Sequence, residues 1–293
     1  MKNLLIATTA LVATAGFAAA DVSLSGAANV GVFNNGAAGS DTLMYNNVSV
    51  TAAMSGETDG GLTFGASLSF RAGDDVDLDV GDLGTNEASG AVGDFASETS
   101  LGNIYVSGDF GKLTFDANGV DNAHNDDFSH DVMYTGTFGA LAVTATANVE
   151  GGATADGEDF SLKVVYSANG VTATVATDDS SEYDATLAYV VNDMLTASVN
   201  YDSNGGDTGA ETALKVAYAN DGITAALTLK DGVAANEWAV ALGYTANGFA
   251  VGVAVDDAGS EDLTASYDLG GGMSINAATN ETGAFFIGSK MSF

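Results

Sequence analysis

Leu62-Thr63-Phe64-Gly65-Ala66-Ser67-Leu68-Ser69-Phe70-Arg71 divides cleanly by parity. Leu62, Phe64, Ala66, Leu68 and Phe70 fall on one face of an extended chain, and Thr63, Gly65, Ser67, Ser69 and Arg71 on the other. Alternation of this length is the signature of a strand with one apolar face. The same period fits Phe160 to Ser167, Ala210 to Tyr218, Ile223 to Lys230 and Phe249 to Val255. No stretch offers a convincing amphipathic helix.

Between such segments the connections alternate in length. The short ones are rich in Gly, Asn and Asp: Thr58-Asp59-Gly60-Gly61, Gly111, Gly139, Asn169-Gly170, Asn192-Asp193, Asp221-Gly222, Asn247-Gly248 and Gly270-Gly271-Gly272. These residues accept the positive φ that tight hairpins need. Longer polar connections, such as 73–100, 118–130 and 150–159, lie between them. Eight short turns imply sixteen strands, and an opening strand near Asp21–Phe33 and a closing strand Ala284–Phe293 bring the count to 18. Short turns on one side and long loops on the other, with an even strand number, predict an all-β, transmembrane antiparallel barrel of 16–18 strands. A barrel of this size encloses a water-filled channel.

Composition agrees. The 293 residues include 39 Asp and Glu against 7 Lys and Arg, a formal charge of −32, with 38 Gly, no Pro and no Cys. Without Cys there is neither a disulfide framework nor a thiolate metal site. A charge of this sign excludes the clustered cations that nucleic-acid binding requires. Met1-Lys2-Asn3, the apolar run Leu4 to Phe17 and Ala18-Ala19-Ala20 read as a secretory signal peptide over residues 1–20. Export without Cys suits a Gram-negative envelope protein, with residues 21–293 as a single barrel domain. Tyr166, Tyr189, Tyr218, Tyr244 and Tyr267 each precede a short turn on the apolar phase of their strand. Matched heights on the outer face predict a girdle at the lipid headgroup level.

The chain stops on an aromatic, and in its last strand Phe285, Ile287, Met291 and Phe293 share one phase. With this end, Asp21-Val22-Ser23-Leu24-Ser25-Gly26, the block Ser55 to Ser67, Ser107-Gly108-Asp109-Phe110-Gly111-Lys112-Leu113 and Ala265 to Gly272, the sequence resembles the alphaproteobacterial general-diffusion porins. The resemblance implies an outer-membrane channel for passive diffusion of small hydrophilic solutes and ions, not an enzyme. It also implies a homotrimer, a third external loop folded inward, and recognition of Phe293 by the outer-membrane insertion machinery. Two departures stand out: family members usually have 16 strands, and they carry an Arg cluster at the constriction where this chain has only Arg71.

No catalytic constellation stands out. His124 and His130, the only histidines, lie among Asp121, Asp126 and Asp127, and read as part of a solvated polar loop before a two-His metal site. The stretch Asp74 to Asp82 offers Asp75, Asp77, Asp79 and Asp82 to a hard cation such as Ca²⁺, though without EF-hand spacing. Its plainer reading is a strand extension with a wet acidic face; no other cofactor is expected. The apolar phases place all six basic residues after the signal peptide in the lumen: Arg71, Lys112, Lys163, Lys215, Lys230 and Lys290. Arg71, Lys163 and Lys215 are expected on the pore wall, facing Asp121, Asp126 and Asp127 on an inward loop at about 118–130. Carboxylates in excess predict a cation-preferring pore. The competing reading is a secreted, acidic, Ca-binding β-rich adhesin, but no array of Gly-Gly-x-Gly-x-Asp repeats supports it.

Overall fold

The computed structural model describes residues 21–75, 78, 80, 93–124, 129–149, 159–204, 209–232 and 235–293; the expected signal peptide lies outside them. The strands are β1 (Asp21–Asn34), β2 (Leu43–Glu57), β3 (Thr63–Asp75), β4 (Gly93–Gly108), β5 (Gly111–Asp121), β6 (Ser129–Phe138), β7 (Leu141–Ala147), β8 (Phe160–Ala168) and β9 (Val171–Asp178). They continue with β10 (Tyr183–Asn192), β11 (Leu195–Asp202), β12 (Glu211–Asn220), β13 (Ile223–Asp231), β14 (Asn236–Ala246), β15 (Phe249–Asp256), β16 (Glu261–Gly270), β17 (Met273–Thr279) and β18 (Phe285–Ser292). Each pairs antiparallel with its sequence neighbours, and β1 also pairs with β18, so the 18-stranded sheet closes on itself. Closure leaves no sheet edge unpaired, which a backbone in hydrocarbon requires.

All eight short turns fall where the sequence placed them. In Asn169-Gly170, Asp221-Gly222 and Asn247-Gly248 both residues have positive φ, between 49° and 80°. Two successive positive values define the type I′ turn, whose twist matches that of the flanking strands.

The two faces of the wall differ chemically. Val22, Leu24, Phe64, Phe70, Leu187, Leu214, Leu242 and Ile287, all on the outward phase, are exposed, as side chains meeting lipid must be. On the opposite phase, polar groups bond across strands. Asn29 Nδ2 donates to Asn47 Oδ1 at 2.9 Å, Asn200 Nδ2 to Thr186 Oγ1 at 2.9 Å, and Thr51 and Ser69 share a hydroxyl contact at 3.0 Å. The lumen face is polar by construction.

The one compact apolar cluster among the described residues lies at the closing seam, toward the long loops. Phe33, Tyr45, Ala278, Ala284 and Phe286 are buried there, with Leu78 and Val80 packed against them. Burying each large side chain contributes about 1.5–3 kcal/mol. Two glycines make room for Tyr45. Gly31 and Gly288 are register partners on β1 and β18, and a Cβ on either would enter the space of the Tyr45 hydroxyl. Phe33 meets the Tyr45 ring edge-on, with centroids 6.3 Å apart. Asn280 Nδ2 donates to the Val80 carbonyl at 2.9 Å, tying residue 80 to the β17–β18 connection.

Candidate functional site

Cross-strand partners share a face, so the register fixes where each base points. Arg71 pairs with Ser49 and Glu98, Lys112 with Ser107 and Thr135, and Lys163 with Thr144 and Ala176. Lys215 pairs with Ser198 and Thr228, Lys230 with Ala213 and Glu237, and Lys290 with Ser274 and Asn29. Every partner is small or polar, and all six bases lie on the lumen phase. Lys163 and Lys215 are in the middle of β8 and β12; Lys112 and Lys290 are near the short turns; Arg71 and Lys230 are toward the long loops. Lys112 Nζ lies 4.4 Å from the centroid of the Tyr105 ring. That ring in turn covers Gly65, where a Cβ would come within 2.6 Å of it.

Acids line the long-loop end of the wall, most continuously along β9 to β16, a pattern missed in the one-dimensional sequence. At the long-loop ends of β9 to β12 the lumen phase carries Asp178, Asp184, Asp202 and Glu211. On β14 to β16 it carries Glu237, Asp256 and Asp262. Only β13 breaks the series, with Lys230, whose Nζ is 3.4 Å from Glu211 and 3.9 Å from Glu237. Those contacts are half-exposed, so each contributes at most about 1 kcal/mol to stability. Their electrostatic result is that the arc's one base is neutralised locally, and the arc stays acidic. The signal was present in the sequence as an acid one or two residues from each long loop, in the lumen phase.

The inward connection is shorter than expected. Residues 118–121 belong to β5 and residues 129–130 to β6, with Asp121 paired to Ser129 across a break in register between Phe115 and Val120. That leaves residues 122–128, whose ends are held together. Such a link reaches at most about 14 Å from the wall. A ring of 18 strands, tilted about 40° and spaced about 4.8 Å, is roughly 36 Å across, so the link spans less than half of it. Asp126 and Asp127 lie outside the described residues.

His130 is buried and the His124 side chain is largely covered, against the expectation of a solvated loop. His124 Nδ1 lies 2.9 Å from Asp178 Oδ2, with the two side chains 7% and 0% exposed. The Ala123 N–H donates to Ser161 Oγ at 2.8 Å. His130 Nδ1 meets Thr146 Oγ1 at 2.7 Å, and Thr146 contacts the Ser161 hydroxyl. Ser161, Thr146 and Asp178 are all on the lumen phase of the wall. The sequence reading missed this because a loop residue's burial depends on the wall it meets. The two imidazoles have separate partners, and no group of three metal-ligating side chains occurs among the described residues. The contact also puts Lys163 beneath the connection, two residues from Ser161 on the same strand face, rather than across the lumen from it.

Of the acidic stretch proposed for calcium, Asp75 ends β3, while Asp77, Asp79 and Asp82 lie outside the described residues. Leu78 and Val80 pack onto this chain's own seam. Tyr166, Tyr189, Tyr218, Tyr244 and Tyr267 are all exposed on the outward phase near the short turns. A second outward set was not anticipated: Phe160, Tyr183, Tyr201 and Trp238 lie near the long loops and are also exposed. Phe160, Tyr183 and Trp238 each precede one of the lower tyrosines by six residues on the same strand. Phe293 is 78% exposed, and its backbone exchanges two hydrogen bonds with Gly26, at 2.9 and 3.2 Å.

Comparison with known proteins gives a consistent picture. A porin from Rhodobacter capsulatus is 40% identical over 95 residues, a match spanning 30% of this chain and 30% of that relative. A triple mutant of Rhodopseudomonas blastica porin superposes with a TM-score of 0.56 at 18% identity, covering 93% of this chain and all of that one. Another mutant of the same porin gives 0.56 at 19% identity over the same shares. At such identity the superposition speaks for the fold alone. The sequence profile of the Gram-negative porins matches residues 7–227, from within the expected leader into β13. Spanning most of the barrel, that match places the chain in the Gram-negative porin family, as a protein of the bacterial outer membrane.

Proposed function

We propose that the barrel is a water-filled channel for passive diffusion of small hydrophilic solutes and ions, and that it prefers cations. The observation that carries the preference is the acidic arc on β9 to β16, with Lys230 already engaged by Glu211 and Glu237. Carboxylates lining one side of a low-dielectric wall raise the local concentration of cations and repel anions. Arg71, Lys163 and Lys215 temper that field from the wall, with Asp121 on the opposing side of the balance. The reading includes a homotrimer embedded in outer-membrane lipid, supported by the family. The exposed tyrosines would sit at the headgroup level, and Phe293 would serve recognition by the insertion machinery.

The decisive test is the purified protein in a planar bilayer. Ohmic conductance is expected, with a reversal potential of cation-selective sign in a salt gradient at about 0.1 M. Since the Debye length falls from about 10 Å at 0.1 M to about 3 Å at 1 M, the selectivity should fade as salt rises. Anion selectivity at low salt would overturn the preference, and absence of conductance would overturn the channel itself.

A further inference from the structure

A cavity of about 440 Å³ opens beside the short turns that join β4 to β5 and β6 to β7. That size falls within the range of about 300–1,000 Å³ usual for small-molecule sites. Its polar lining is on the lumen phase. Lys112, Thr135 and Thr144 are successive register partners across β5, β6 and β7, and Ser107 of β4 flanks Lys112. Tyr134, whose ring covers Gly111 on the outer face, takes no part in the lining. The cavity therefore faces the water of the barrel, not lipid.

Its charged and polar groups are unused. Lys112 makes no ion pair among the described residues; its ammonium rests 4.4 Å from the Tyr105 ring centroid, which fixes the chain and leaves N–H donors free. Asp109, in the β4–β5 turn, lines the same cavity with an exposed side chain and has no ion pair or hydrogen bond to any described residue. With no ion pair between them, Lys112 Nζ and the Asp109 carboxylate are more than 4.0 Å apart. The hydroxyls of Thr135, Thr137 and Thr144 have no hydrogen-bond partner among the described residues, whereas Ser107 Oγ is engaged by Thr63 at 2.5 Å. Phe110 and Phe138 add apolar edges. A base alone would draw any anion. A base and an acid lining one cavity, held apart, select a solute that carries both charges.

We propose that this cavity is a binding site for zwitterionic amino acids. The inference deepens the channel reading above and rests on it for the role given to the site. The carboxylate of the amino acid accepts from Lys112 Nζ and from the Thr135 and Thr144 hydroxyls, and its ammonium donates to Asp109. An aliphatic side chain lies against Phe110 and Phe138. Both contacts to charged groups are needed for affinity in so hydrated a place. Solutes of zero net charge gain nothing from the acidic arc at the other mouth, so the site adds a selectivity independent of net charge. At millimolar affinity and an entry rate of about 10⁸ M⁻¹s⁻¹ the site empties in about 10 μs, which concentrates the solute without plugging the pore.

Saturation-transfer NMR on the folded barrel in detergent micelles tests the site with L-valine and its two halves. Isobutylamine lacks the carboxylate, 3-methylbutanoate lacks the ammonium, and protein-free micelles give the baseline. Saturable millimolar binding of valine is expected, with each half about fivefold weaker or worse. Lys112→Gln should weaken valine about fivefold without weakening isobutylamine, and Asp109→Asn should do the same without weakening 3-methylbutanoate. Heat-modifiable migration on a gel confirms that each variant is folded. Equal binding of the three probes, or a folded Lys112→Gln with wild-type affinity for valine, overturns the site. Bilayer conductance of the same preparations is read separately. A conducting barrel without saturable valine binding overturns the site and leaves the channel standing. Saturable valine binding in a barrel that never conducts upholds the site and overturns the channel reading.

Discussion

Reversing the two mid-barrel lysines, Lys163→Glu with Lys215→Glu, changes the wall charge by four units at a height set by the register. The ring of 18 strands has a radius of about 18 Å, and an extended lysine brings its charge to about 12 Å from the axis. In water, a unit charge at that distance acts on a monovalent ion with about 0.35 kcal/mol, which screening at 0.1 M reduces to about 0.1 kcal/mol. Four units then amount to about 0.4 kcal/mol, or about twofold for cations and the inverse for anions, so the permeability ratio should rise about fourfold. At 1 M the same sum falls below about 0.1 kcal/mol, and the variant should match the wild type. Reversal potentials across a salt gradient read this directly. Lys215→Glu alone is the cleaner half of the pair, because Lys215 has Ser198 and Thr228 as register partners whereas Lys163 neighbours Asp184. Lys290→Glu, near the short-turn rim where the field spreads into bulk water, should shift the ratio less. Equal shifts from Lys215→Glu and Lys290→Glu would refute the argument that a mid-barrel charge acts on the permeating ion more strongly than one at the rim. No shift from the double variant at 0.1 M, in a folded barrel, would refute the electrostatic account.

Deleting Phe293 should lower the amount of folded protein in the outer membrane; unchanged levels on strong expression would reduce the residue to a part of the aromatic belt. Gly288→Ala should cost about 1–3 kcal/mol, because the added methyl collides with the Tyr45 hydroxyl and the Val30 carbonyl. The temperature at which the folded band converts on a gel reports it, and an unchanged value would mean that the seam repacks freely. Calorimetric titration with Ca²⁺ should give no saturable heat, since the acidic stretch is read as a wet strand extension. Saturable heat would instead assign ligands to Asp75, Asp77, Asp79 and Asp82.

The strands and the facing of all six bases were legible because a two-residue period needs no tertiary information. Leu62 to Arg71 defines its own two faces, and only the register shifts opposite Ala66 and Arg71 escape it. Seven of the eight turns were legible because positive φ restricts residue choice, and the turn at Asn192-Asp193 through its Asn and Asp alone. What escaped depends on chain segments meeting at a distance. The slot for Tyr45 needs Gly31 and Gly288, neighbours only once the ring closes. The burial of His124 needs Asp178, and neither residue's local sequence hints at the other. The acidic arc was written in plain view, yet it emerges only when strands are laid side by side and their loop ends aligned.

The seam between β1 and β18 also governs the order in which the molecule can be built. Seventeen of the eighteen ladders join strands that follow one another in the chain, and one joins its two ends. Hairpins close short loops at small entropic cost, whereas the last ladder must bring together residues as distant as Ala27 and Ser292. Until β18 arrives, the growing sheet has two raw edges, each able to pair with another unfinished copy. Tyr45, Phe33 and Phe286 complete their cluster only at that step. A chain stalled one strand short is therefore a template for aggregation rather than a slightly leakier channel.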